Sequence, residues 1–172
     1  MANSPAGSGV GGGRCFEDFT AGMVMRHRLG RTLTATDNTW LTLLTVNTNP
    51  IHFDAHYAAQ TEFKRPLIDS TLTLAIVTGL SVEDVSRYGV NLGWTDVRLP
   101  APLFEGDTLY AQSEVLMVRE SKSRPNMGIV EIKTTGFKQD GTVVIECRRS
   151  ILVYRRGHLP ALPSPQPAKS RT

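Results

Sequence analysis

STLTLAIVTGL, Ser70–Leu80, contains no charged residue. Leu72, Ala75, Ile76, Gly79 and Leu80 recur at i, i+3, i+4, i+7 and i+8, which is one stripe of a helix, with Ser70 as its N-cap. Thr71, Thr73 and Val77 fill the rest of the circumference with weakly polar or apolar groups, so the helix is expected to be buried on more than one side. Glu83 and Asp84 return the chain to the surface. From Gly89 the period changes. Asn91–Leu99, Thr108–Arg119, Gly128–Gln139 and Thr142–Tyr154 are long strand-like runs divided by Pro-rich, Gly-Asp and Asp-Gly punctuation. Gln139-Asp140-Gly141-Thr142 is a strong hairpin turn. Helices first and a long antiparallel meander afterwards give an α+β domain, one curved sheet with a largely buried helix on one face.

Upstream, Thr34-Ala-Thr-Asp37 reads as a helix start, a threonine cap with an acid three residues on. That helix is expected to turn Trp40, Leu43 and Leu44 inward and to end before Asn47. Asn49-Pro50 forbids its continuation. Asp54 can cap a second short helix over Ala55–Thr61. The chain of 172 residues is about one domain's worth. We expect that domain to occupy residues 14–156, between a Gly/Ser-rich tail, 1–13, and a Pro-rich tail, 157–172, neither of which has a hydrophobic period.

Composition narrows the function classes. Hydrophobic residues make up 40% and charged residues 20%, as in ordinary soluble domains. No apolar run approaches the roughly 18 residues of a membrane span, and MANSPAGSGVGGGR lacks the charged and apolar regions of a secretory signal. Cys15 and Cys147 stand far apart without ligand spacing, so neither a zinc site nor a disulfide framework is implied, and a reducing cytoplasmic setting is the default. The net charge is +3, with the excess in the C-terminal half, which suits either a phosphate-bearing ligand or solvated strand faces. At 7% aromatic content the basic patch with interleaved aromatics of a nucleic-acid binder is missing.

Chemistry concentrates in TVNTNPIHFDAHYAAQTEF, Thr45–Phe63. His52 follows Pro50 by two residues and precedes the Asp54 cap by two, on an irregular but stiff segment of the kind that carries catalytic groups. Its unperturbed pKa suits proton transfer in both directions; the alternative is a histidine bonded to backbone in a turn. His52-x-Asp54-x-His56 would share a face only on a strand, and the helical reading of Ala55–Thr61 breaks that geometry, so no metal site is assigned. There is no Gly-x-Ser-x-Gly elbow and no Walker loop.

Asn49-Pro50-Ile51-His52-Phe53-Asp54, followed by Tyr57-Ala58, resembles the hydratase motif of the MaoC-like, R-specific enoyl-CoA hydratase family. FKRPLIDSTLTLAIVTGLS resembles the segment leading into that family's central helix. VRLPAPLFEGDTLYAQSEVL resembles its strand with the Gly-Asp-Thr turn, and RESKSRPNMGIVEIKTTGFKQDG its hairpin. The collinear resemblance runs from about Arg14 to Tyr154. It implies a hot-dog fold, an antiparallel sheet wrapped around one long helix, assembled as a homodimer or higher homo-oligomer.

The resemblance also implies a reaction, reversible addition of water across the double bond of a 2-enoyl-CoA, with the thioester as substrate and no further cofactor. The family's catalytic histidine matches His52. Its aspartate, five residues earlier, is Asn47 here, an amide that can hold water but cannot take its proton. The family's His-Gly at the helix start is Asp69-Ser70. The Ser70 backbone N–H remains suited to the thioester oxygen, because that role needs no side chain. Asp69 either supplies the missing carboxylate or shapes the helix start; Asn49 is a further auxiliary candidate. ATDNTWLTLLTVNTNPIHFDAHYA and the Ser-Thr helix start are closer to a branch acting on branched C5 dicarboxylic acyl-CoAs of the mesaconyl or itaconyl type. Lys64, Arg65 and Arg124 are the candidates for the second carboxylate or the CoA phosphates. A non-catalytic acyl-CoA-binding or dimer-partner subunit and an acyl-CoA thioesterase are the alternatives on the same fold.

Overall fold

A computed structural model describes residues 12–161. Three helices, α1 (Ala35–Leu44), α2 (Ala55–Ala58) and α3 (Ser70–Leu80), precede most of the sheet. The four expected strands are β3 (Gly89–Arg98), β4 (Thr108–Glu120), β5 (Met127–Lys138) and β6 (Val143–Tyr154). Two short strands that no sequence pattern announced, β1 (Val24–Arg26) and β2 (Arg31–Thr32), pair with β4. All pairings are antiparallel, in the order β1-β4-β5-β6-β3. The meander is therefore β4-β5-β6, and β3 crosses to the far side of β6 instead of pairing with β4. Gly141 turns the β5–β6 hairpin at φ +85°, and the Asp140 carboxylate accepts the Thr142 N–H at 2.9 Å.

The sheet wraps α3, which is the hot-dog fold expected from the sequence. Val77 at 0% exposure marks the helix face against the sheet. Close approach is possible because β5 offers Gly136 there: a Cβ at that position would stand 2.6 Å from side-chain atoms of both Val77 and Ile145. The buried line of α3 runs through Leu72, Thr73 and Val77, whereas Ala75 and Gly79 are exposed, so the apolar stripe expected from spacing is rotated. The N-cap is Asp69 and Ser70 is the first helical residue, so the helix starts one position earlier than expected. The difference follows from chemistry, since the shorter-reaching serine yields the cap to a carboxylate that accepts two amides.

Helix α1 also corrects the sequence reading. Thr34 and Asp37 form the expected capping box, but Trp40, Leu43 and Leu44 are 68%, 73% and 78% exposed and the buried residues are Asn38 and Thr42. The helix is amphipathic with its polar edge inward. Helix α2 stops at Ala58, short of the expected Thr61. At the N-terminus Gly13 is buried against Tyr88. The rest of the expected tails, 1–11 and 162–172, lies outside the described residues. Among those described, no helix is long and apolar enough to cross a membrane.

A polar layer divides the core. One apolar cluster gathers Phe16, Val115, Ile132 and Ile151, and the other Leu72, Val77, Leu109 and Ile145. Between them His27 Nδ1 donates to Asp84 at 2.8 Å, Ser113 donates to His27 Nε2 at 2.9 Å, and Thr134 meets Ser113 at 2.9 Å. A carboxylate accepts from the His27 N–H, which fixes the direction of this chain. Arg149, 2% exposed, donates to Ser81 at 2.6 Å in the same layer. Burial lowers the His27 pKa; Asp84 opposes this and Arg149 reinforces it. The folded protein therefore holds His27 neutral where an unfolded chain takes up a proton, and stability falls as pH drops below the ordinary histidine value of 6.5. Thermal melts between pH 7.5 and 5 should show this decline, and His27→Gln should flatten it; an unchanged slope in the variant would remove His27 as its source.

Candidate active site

Asn38 is the residue around which the site is built. Its Nδ2 donates to the carbonyls of His52 at 2.6 Å and Leu67 at 3.0 Å, and its Oδ1 accepts the Asp69 N–H at 2.9 Å. One buried amide on α1 thus ties the His52 turn to the start of α3. Sequence reasoning missed it. The available signal was polar Asn38 and Thr42 at i and i+4, flanked by apolar residues that would then have to point outward.

His52 sits in a 3₁₀ turn, Pro50–His52, capped by the Asn49 side chain. Its Nδ1 meets the Leu67 carbonyl at 2.8 Å. A carbonyl only accepts, so Nδ1 carries a proton and Nε2 is the nitrogen left for proton exchange. That Nε2 faces Asp69 Oδ2 at 3.9 Å, and both side chains are largely shielded, at 10% and 4% exposure. The gap is too long for a direct hydrogen bond and is of the size one bridging water spans.

Asp69 uses its two oxygens differently. Oδ1 accepts the N–H groups of Thr71 and Leu72 and the Thr71 hydroxyl, capping α3. Oδ2 accepts Asn47 Nδ2 at 2.5 Å and looks toward His52. Asp69 thus shapes the helix start with one oxygen and turns the other toward His52. Burial pushes its carboxyl up, but the hydrogen bonds from Thr71, Asn47 and Leu72 together outweigh this and hold it below the ordinary carboxylate value. The group is ionised at neutral pH. Asn47 is fixed in turn, because Asn49 N–H donates to its Oδ1 at 3.0 Å and leaves Nδ2 for Asp69. The Asn47 amide therefore donates one hydrogen to the Asp69 carboxylate and holds that oxygen in place.

Asn47 owes its position to strain. Asn47 N–H returns to the Thr42 carbonyl at 2.9 Å and Val46 N–H to Leu43, the C-terminal pattern that normally places glycine at the left-handed residue. Here that residue is Val46, at φ +56° and 80% exposed. A β-branched side chain there costs about 1–2 kcal/mol, of which ~0.4–1 kcal/mol would be given back as unfolded-state freedom on changing to glycine. Val46→Gly should raise the unfolding free energy by about 0.5–1 kcal/mol in urea titration; a loss of stability would show that the valine is anchored by contacts.

A cavity of about 300 Å³ opens beside His52 and the start of α3. Apolar residues form most of its wall, among them Phe63, Ile68, Leu103 and Val144, and the polar lining is His52, Ser70 and Thr73. Among the described residues no acceptor meets the Ser70 N–H, which sits in the first turn of α3. Leu72 is core at 9% exposure, while Trp40 and Phe53 are on the surface. Arg65 and Lys64 lie in the exposed segment that follows Phe63. Arg124 does not join them. It belongs to the β4–β5 turn, whereas the cavity reaches Val144 at the other end of the sheet, roughly 33 Å away along β6. Asp54 caps α2 through Tyr57 N–H and His56 is exposed. Among the described residues no three His, Cys, Asp or Glu side chains stand together as a metal site.

With this geometry in place, the relatives are informative. A family model described as mesaconyl-CoA hydratase matches residues 8–162. The chain is 33% identical over 155 residues to beta-methylmalyl-CoA dehydratase of Chloroflexus aurantiacus, covering 90% of this chain and 43% of that protein. It is 30% identical over 156 residues to mesaconyl-CoA hydratase of Cereibacter sphaeroides, covering 90% and 45%. It therefore spans somewhat under half the length of these curated relatives. Among solved structures it superposes on a MaoC-like dehydratase from Rhodospirillum rubrum with a TM-score of 0.74 and 25% identity, over 84% of this chain and 99% of that one.

Proposed function

Because the chain belongs to the mesaconyl-CoA hydratase family, we propose that it catalyses reversible hydration of a 2-enoyl-CoA of the branched C5 dicarboxylic type. The observation that carries this reading is the approach of His52 Nε2 to the Asp69 carboxylate at 3.9 Å, beside an apolar cavity lined by Ser70, the first residue of α3. The thioester carbonyl is directed to the Ser70 N–H, at the positive end of the α3 dipole. A water between His52 and Asp69 gives its proton to Nε2 as its oxygen bonds to the β carbon. The π electrons move onto the thioester oxygen as an enolate, which the Ser70 N–H stabilises. The imidazolium then returns the proton to the α carbon and the carbonyl re-forms. Atoms and charge balance, and the reverse sequence dehydrates. Asp69 stays ionised throughout, orienting the water and stabilising the imidazolium, while Asn47 holds Asp69. The chemistry needs no cofactor beyond the thioester itself.

An ultraviolet assay with crotonyl-, mesaconyl- and itaconyl-CoA, with free thiol followed in parallel, tests the proposal. Loss of enoyl absorbance without thiol release supports hydration and ranks the acyl groups; thiol release would make the protein a thioesterase. A homodimer belongs to the same reading. Val90, Leu92 and Trp94 on edge strand β3 are exposed, as on a sheet edge that pairs with another copy. Light scattering should give twice the 18.9 kDa chain mass.

A further inference from the structure

The cavity lining contains no cation: its polar groups are His52, Ser70 and Thr73. A second carboxylate on the acyl group would be buried there without a partner, which is costly. A charge receptor must therefore stand at the rim. Arg65 lies between Phe63 and Leu67 in the chain, both of which line the cavity. Its guanidinium carbon lies 4.0 Å from the centroid of the Phe104 ring. Phe104 in turn tilts against Phe63 at 6.4 Å, and Phe63 lines the cavity. The segment is held from behind, since Leu67 bridges Phe104 and its carbonyl accepts His52 Nδ1. Arg65 is thus two residues from the group that orients the proposed base.

Among the described residues no hydrogen bond or ion pair engages the Arg65 guanidinium, although Arg31, Arg87, Arg148, Arg155 and Arg156 all pair with carboxylates. A guanidinium stacked by its face keeps its edge donors directed outward in a fixed fork, the geometry that takes an oxyanion by two parallel bonds. Lys64 beside it has neither the fork nor the stacking. Resting on the acyl-CoA reading above, we propose that Arg65 is the anion receptor of the site, gripping an oxyanion of the bound thioester at the cavity mouth. The oxyanion is either the second carboxylate of the acyl group or a CoA phosphate.

Binding of non-reactive saturated thioesters separates these sources without requiring turnover. Methylsuccinyl-CoA, butyryl-CoA and butyryl-pantetheine are titrated calorimetrically against wild type, Arg65→Gln and Arg65→Lys. If the carboxylate is read, Arg65→Gln weakens methylsuccinyl-CoA by about 10–100-fold and leaves butyryl-CoA within about twofold. If a phosphate is read, both CoA esters weaken equally and butyryl-pantetheine is unchanged. In either case Arg65→Lys falls between the two, because charge remains and the fork is lost. Wild-type affinity of Arg65→Gln for all three ligands overturns the assignment of Arg65 and leaves the hydratase reading standing. Failure of wild type to bind any of them overturns both.

Discussion

His52→Ala is expected to lose about 10²–10⁴-fold in hydration rate while keeping its fold. The magnitude is that of removing one general acid–base group. The fold survives because the lost hydrogen bond strands no partner: the Leu67 carbonyl that received His52 Nδ1 still accepts Asn38 Nδ2 at 3.0 Å. The direct stability cost is therefore about 1 kcal/mol. The loss should fall on kcat and spare KM, since the imidazole meets the reacting water and the apolar wall is untouched. Steady-state kinetics on the best substrate of the enoyl-CoA panel, beside a urea titration, measure both. Unchanged kcat in a folded variant would remove His52 from the mechanism. Below neutral pH, wild-type activity should not fail through Asp69. Its hydrogen bonds hold the carboxyl below 3.8, so the stability they lend is present above that value and is lost only as pH falls through the lowered one.

How much of this could be read from residues follows the range of the interactions. Capping and turns act over three or four residues, and both Thr34 with Asp37 and Asp140-Gly141 behave as their spacing implies. The long strands were legible for the same reason. The face of α1 was not, because the rule that apolar residues go inside fails where a buried Asn38 must tie two loops together. The polar layer of His27, Ser113 and Arg149 joins segments scores of residues apart, and no local period records such a pairing. In the site, His52 was legible from Pro50 and Asp54 around it and from the family motif. Asp69 was left open, since its partner Asn47 is 22 residues away. Sequence alone could say that a carboxylate was missing at 47; only the fold brings another carboxylate within 2.5 Å of that amide.

That exchange makes Asn47→Asp the sharper test. The two side chains are nearly isosteric, and from sequence alone the variant would simply fold. The structure predicts otherwise. Asn47 Nδ2 donates to Asp69 Oδ2 at 2.5 Å, in a place where the Asp69 side chain is 4% exposed. Aspartate at 47 replaces a donor with a second acceptor and sets two carboxylates against each other. Both cannot remain ionised, so the pair takes up one proton and one apparent pKa rises well above the ordinary value. The folded state then binds more protons than the unfolded chain between about pH 4 and that raised value, and stability falls as pH rises through this window. At pH 7.5 Asn47→Asp should be destabilised by about 2–4 kcal/mol, with most of the loss recovered near pH 4.5. Wild type should show no such recovery. Adding Asp69→Asn restores one carboxylate and one amide with their positions exchanged. The double variant should regain stability at pH 7.5, although an amide at 69 leaves the α3 cap weaker by about 0.5–1 kcal/mol. Its turnover decides what the carboxylate does. Activity recovered above that of Asn47→Asp would mean that His52 needs one carboxylate at this spot and tolerates either backbone position. Stability recovered without activity would restrict the water-orienting role to Asp69. A pH-independent Asn47→Asp, as stable as wild type, would show that the contact between 47 and 69 does not hold the site together.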